Sequence, residues 1–119
     1  MQDYTHNYHQ AGGNRSFCEY YTSGYEHAIF SSSLKQNLVF SQHNLVGDGP
    51  FNEFNVIWCR NVLIYFNRML QERVQTLFYE SLTRFGILGL GSQESLKLTS
   101  YHQDYEELVS HEKLYRKIC

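Results

Sequence analysis

The chain has 119 residues, 42% hydrophobic, 16% aromatic and 18% charged, with a single proline. That is one domain or part of one, and it excludes a disordered tail or a proline-rich linker. Ten lysines and arginines against twelve aspartates and glutamates give a net charge of −2, which leaves no basic surface for nucleic acid.

The first 36 residues are polar and aromatic-rich, with turn signals at Ala11-Gly12-Gly13-Asn14 and Thr22-Ser23-Gly24. They predict a short N-terminal helix and a small hairpin around Gly24. The start lacks the basic and apolar stretches of a signal peptide, and no run reaches the roughly 18 apolar residues of a membrane span. Cys18, Cys59 and Cys119 are odd in number and widely spaced, which fits free thiols in a cytoplasmic setting better than a disulfide framework.

From Asn37 the pattern becomes one of alternating strands and helices. Asn37–His43 is β-prone, and Gly47-Asp48-Gly49-Pro50 is loop chemistry. Phe54–Cys59 is a nearly continuous apolar run, as in a strand covered on both faces. A helix is predicted from Arg68 to Phe85. Leu70, Val74, Leu77, Phe78, Ser81, Leu82 and Phe85 form its apolar face, and Gln71, Glu72, Arg73, Gln75 and Glu80 occupy much of the other. Asn67 is the expected N-cap, with Gly86 as a left-handed stop and Arg84 on the last turn. Ile87–Leu90 reads as a second buried strand, and Tyr105–Val109 with Lys113–Ile118 as a closing antiparallel pair. Strand, helix and strand in that order imply an α/β fold with a parallel sheet and a right-handed crossover.

Ligands of open α/β sheets bind beyond the carboxyl ends of the strands. That selects His43-Asn44-Leu45 and Cys59-Arg60-Asn61, where an apolar run stops at a charge and an amide. Two readings stand side by side. Arg60 is an interdomain salt-bridge residue and Asn61 a turn residue, or the pair bounds a cofactor pocket in which an asparagine presents donor and acceptor to a purine edge while Leu45 packs beside it. His6 and His9 could share a helix face, but no cysteine or carboxylate joins them at metal-site spacing, so no metal is expected. Cys59 reads as a small buried hydrophobe rather than a nucleophile.

The block Phe54-Asn55-Val56-Ile57-Trp58-Cys59-Arg60-Asn61-Val62-Leu63-Ile64-Tyr65-Phe66 resembles the signature of CheR-type chemoreceptor glutamate methyltransferases. Gln42-His43-Asn44-Leu45, Gly89-Leu90-Gly91-Ser92-Gln93-Glu94-Ser95-Leu96 and Glu112-Lys113-Leu114-Tyr115-Arg116-Lys117 extend the resemblance. It implies a partial Rossmann-like class I methyltransferase sheet over 37–119, preceded in 1–36 by a remnant of the small β-hairpin subdomain that contacts receptors. It also implies S-adenosylmethionine as cofactor, chemoreceptor glutamates as substrate and no membrane insertion. Asn44 and Leu45 would line the adenine side, Arg60 and Asn61 would bound the pocket, and Tyr65 would be the catalytic tyrosine near the reacting methyl group.

The family's Gly-rich cofactor turn and the acidic residue for the ribose hydroxyls have no counterpart here. The resemblance therefore implies an incomplete, C-terminal portion of the domain, whose activity alone is doubtful. Its receptor subdomain would map to about Phe17–His43, and the short loop there implies tether-independent recognition. Lacking neighbouring strands, the sheet would keep an open edge, so self-association is expected. The rival reading is a non-catalytic half-domain that binds receptors or itself.

Overall fold

In a computed structural model, residues 1–50, 53–97 and 99–119 are described. The chain divides into two compact units, Met1–Gln42 and His43–Cys119. The first begins with helix α1, Gln2–Gln10, followed by a 3-10 turn, Phe17–Tyr20. Strands β1, Tyr21–Gly24, and β2, His27–Phe30, then pair antiparallel through a tight turn in which Glu26 takes φ +60°. The predicted helix and hairpin are both present. Rings hold this unit together: Tyr8 lies 5.3 Å from Phe17 and 5.8 Å from Tyr20, and Phe17 lies 5.5 Å from Tyr21. None of its residues is fully buried.

Asn37–His43 does not form the expected strand; its backbone has no regular structure beyond a turn that includes Asn37. A β-prone run becomes a strand only where a neighbour supplies the ladder, and among the described residues no ladder forms along it. Along the chain the two compact units divide between Gln42 and His43.

The second unit carries strand β3, Phe54–Cys59, helix α2, Arg68–Ser81, and strands β4, Leu82–Leu90, β5, Tyr105–Val109, and β6, Leu114–Lys117. The sheet runs β3-β4-β6-β5, with β3 and β4 parallel and the last pairs antiparallel. This is the mixed α/β sheet expected of part of a class I methyltransferase. Asn67 caps α2 as predicted, its Oδ1 accepting the Leu70 N–H at 2.9 Å.

The helix stops at Ser81, short of the predicted Phe85, and Gly86 does not terminate it. Leu82 enters the sheet directly opposite Phe54, and Phe85, not a glycine, takes the left-handed φ of +67° in the irregular first half of β4. The helix end is closed from afar. Lys117 on β6 donates from Nζ to the Tyr79 carbonyl at 2.7 Å and the Leu82 carbonyl at 2.8 Å, satisfying carbonyls that a helix terminus leaves open.

The core lies between α2 and one sheet face, where Val74, Phe78, Leu82, Leu88, Leu90 and Tyr115 are buried. Gln75 is buried too, against the polar placement read from the sequence, and its Oε1 has no hydrogen-bond partner among the described residues. The other face is open: Val56 is 58% and Trp58 61% exposed. Among the described residues, β3 is the end strand of the sheet.

Candidate functional site

Adjacent parallel strands β3 and β4 end side by side, pairing Cys59 with Leu90. Past β3 the chain turns sharply. Asn61 adopts φ +61°, a conformation that asparagine tolerates better than most residues, and Leu63–Tyr65 forms a 3-10 turn.

The anchor of this segment is Leu63, 2% exposed. Its N–H donates to Glu94 Oε2 at 2.7 Å, and its carbonyl accepts from Gln71 Nε2 at 2.8 Å. The same Gln71 amide reaches the Phe66 carbonyl at 3.0 Å. Two residues beyond this anchor, Tyr65 is 80% exposed. A fixed backbone thus presents a phenol to solvent.

Past β4, Gly91–Glu94 forms a turn closed by Glu94 N–H to Gly91 carbonyl at 3.0 Å. The Glu94 carboxylate is 4% exposed, and its Oε1 accepts the N–H groups of Gly91 at 2.7 Å and Asn61 at 3.0 Å. Glu94 and Gln71 are the residues that sequence reasoning missed. The signal available was an acid and an amide beside two strand tips, but their targets lie up to 33 positions away and carry no periodicity.

The predicted residues are placed as follows. Asn44 closes its own loop: its Oδ1 accepts the Val46 and Gly47 N–H groups at 3.0 and 3.1 Å, and its N–H donates to Asp48 at 2.9 Å. With the oxygen occupied, its side chain has only the NH₂ to offer a ligand. Leu45, next to it, lines an apolar cavity of about 210 Å³ with Phe54, Ile57, Leu77 and Phe78, on the α2 side of the sheet. Arg60 lies on the other side, its guanidinium 5.9 Å from the centre of the Trp58 ring. Successive strand residues face opposite ways, so Leu45 beside Ile57 and Arg60 over Trp58 flank β3 from its two faces, with Asn61 at the tip. The recess lined by Leu45 does not include Asn44, Arg60, Asn61 or Tyr65.

Cys59 is buried, and that burial pushes its thiol up to about 11, with the Glu94 carboxylate acting in the same direction. It is a neutral thiol at ordinary pH and no nucleophile. Among the described residues no cluster of His, Cys, Asp or Glu could hold a metal ion, and no helix is long and apolar enough to cross a membrane.

Residues 6–113 match the family described as CheR methyltransferase, SAM binding domain. The Pseudomonas putida protein Cher3 is 48% identical over 117 residues, 98% of this chain and 43% of that relative. A protein from Vibrio cholerae named chemotaxis protein methyltransferase 2 is 33% identical over 71% of the chain, which covers 28% of it. A chemotaxis protein methyltransferase from Listeria monocytogenes is 37% identical over 52% of the chain, which covers 24% of it. The chain therefore spans less than half the length of each of these three relatives.

Proposed function

This chain belongs to the CheR methyltransferase family, within its S-adenosylmethionine-binding domain, and we propose that it supplies one wall of a site that methylates glutamate side chains of chemoreceptors. The observation that carries the reading is the turn after β3, which holds Tyr65 in the open beside two strand tips.

The residues present fit part of an adenosyl group. Leu45 with Phe54, Ile57 and Phe78 forms an apolar recess, but its roughly 210 Å³ falls below the about 300–1,000 Å³ that encloses a whole small-molecule ligand. One wall is therefore what this chain offers, and weak cofactor binding by the chain alone follows. Asn44 would donate from its NH₂ to the adenine edge while Leu45 packs against the ring. Asn61 and Arg60 would bound the group from the tip of β3.

When bound, S-adenosylmethionine supplies a methyl group made electrophilic by its sulfonium, and a glutamate carboxylate is already nucleophilic at neutral pH. The protein's task is alignment and exclusion of water rather than proton removal. Tyr65 would donate its phenolic O–H to the acceptor carboxylate and orient one oxygen toward the methyl carbon. The segment Phe17–His43 would contribute to receptor contact.

The test is methyl transfer to receptor glutamates by the full-length protein and its Tyr65→Phe variant. Loss of one orienting hydrogen bond should lower kcat/KM by about tenfold. Unchanged kcat and KM would remove Tyr65 from the site.

A second reading concerns the isolated chain and rests on the exposed Val56 and Trp58 of β3, the end strand of the sheet among the described residues. Such an edge recruits partners, and we propose that the chain alone self-associates. Sedimentation equilibrium checks this: a monomer at high concentration refutes it.

A further inference from the structure

We propose that Glu94 is a positioning residue for the site, setting through one buried carboxylate the turn that carries Asn61 and Tyr65. The inference rests on the methyltransferase reading above and extends it to a residue that touches neither cofactor nor substrate.

A carboxylate this far from water needs partners, because burying an unpaired charge is costly. Glu94 finds three, all backbone N–H groups: Asn61 and Gly91 on Oε1, and Leu63 on Oε2. Gly91 follows β4, and Asn61 and Leu63 follow β3. The anion thus ties two neighbouring strand tips to each other at the place where an open α/β sheet carries its ligand. The side chain is acceptor-only when ionised, so converging donors suit it and an amide would not serve. Glutamine would aim an NH₂ at one of these N–H groups.

The geometry leaves little play. Asn61 holds φ +61° with its N–H fixed by Glu94. A Cβ at Gly91 would lie 2.5 Å from Asn61 Oδ1 and 2.8 Å from Glu94 Oε1, so the absence of a side chain there makes room for both. Leu63 is gripped at N–H by Glu94 and at C=O by Gln71, and Tyr65 rides two residues further on. Loosening Glu94 frees Asn61 and Tyr65 together while the ladder between β3 and β4 keeps its own hydrogen bonds.

The experiment uses the full-length protein with Glu94→Gln, with Glu106→Gln as control; Glu106 is an exposed acid paired with Arg116 at 3.6 Å on the sheet. Three quantities are read: the Kd for S-adenosylmethionine by calorimetry, kcat and KM for the receptor, and amide exchange at Asn61, Leu63, Val74 and Leu88. Glu94→Gln should weaken cofactor binding about tenfold, lower kcat, and speed exchange at Asn61 and Leu63 but not at Val74 or Leu88. The control should change none of these. A lower melting temperature with unchanged Kd and kcat overturns the proposal and leaves Glu94 a structural brace. Should Glu94→Gln fail to fold, Gly91→Ala keeps the carboxylate but crowds it and Asn61, and it should weaken binding in the same direction; normal affinity overturns the proposal. A wild-type protein that binds no S-adenosylmethionine removes the methyltransferase reading itself, whereas wild-type binding with unaltered variants removes only the role of Glu94.

Discussion

The two units of this chain are built on different terms. His43–Cys119 has an interior in which Val74 and Leu88 are fully out of water and Leu82 and Leu90 are 1% exposed. Met1–Gln42 has no fully buried residue and depends on rings meeting edge to face across a helix, a turn and a two-stranded hairpin. A lone hairpin is marginal in water, and aromatic pairs add only about 0.5–1.5 kcal/mol each beyond the area they bury. The difference teaches where rigidity is invested: around the strand tips that carry the candidate site, not in the N-terminal segment.

The strongest way to break this comparison is Leu88→Ala. Removing a fully buried leucine should cost about 2–5 kcal/mol in urea unfolding of the second unit, whereas Phe30→Ala, at 42% exposure, should leave that transition in place. Equal effects would show that the two units share one cooperative core.

Next comes Gly13→Ala. A Cβ there would stand 2.3 Å from the Tyr8 ring, so the ring must leave its cluster, at about 1–3 kcal/mol. Proton shifts of Phe17 and Tyr20 should move while those of Val74 and Leu88 stay put.

The third prediction concerns pH. The Cys59 thiol is raised from 9.0 to about 11, so the folded state holds this proton more tightly than the unfolded chain. The resulting stability is complete below pH 9 and is lost as pH rises toward 11, by about 1–2 kcal/mol in the second unit. Cys59→Ala should flatten that slope in urea titrations, and a thiol reagent should modify exposed Cys18 and Cys119 well before Cys59.

The smallest effect belongs to the first unit. Arg15 and Glu19 form an exposed pair at 3.1 Å, four residues apart, and Arg15→Ala should cost under about 0.5 kcal/mol in thermal melts. A larger loss would mean that charge, not ring packing, organises the N-terminal segment.

How much was legible from sequence follows from the range of each interaction. The core of α2 and its Asn67 cap, the apolar β3, and the closing pair β5 and β6 were readable because periodicity and capping are local. The helix end was not, because it is closed by Lys117 from 35 residues beyond Leu82. Asn37–His43 misled for the opposite reason: its residues favour a strand, but among the described residues no strand ladder forms along them. At the site, the strand-end rule pointed to Asn44, Leu45, Arg60 and Asn61, motif resemblance added Tyr65, and nothing local marked Glu94 or Gln71. A buried acid in a loop looks like any exposed one until the chain folds around it.

Trp58 is the only tryptophan of the chain, and its ring covers Gly89 so closely that a Cβ there would sit 2.2 Å from it. Lying on the uncovered sheet face under Arg60, this indole is a built-in optical reporter. Its emission should shift to shorter wavelength whenever another polypeptide or a further stretch of protein closes over that face, with no label attached.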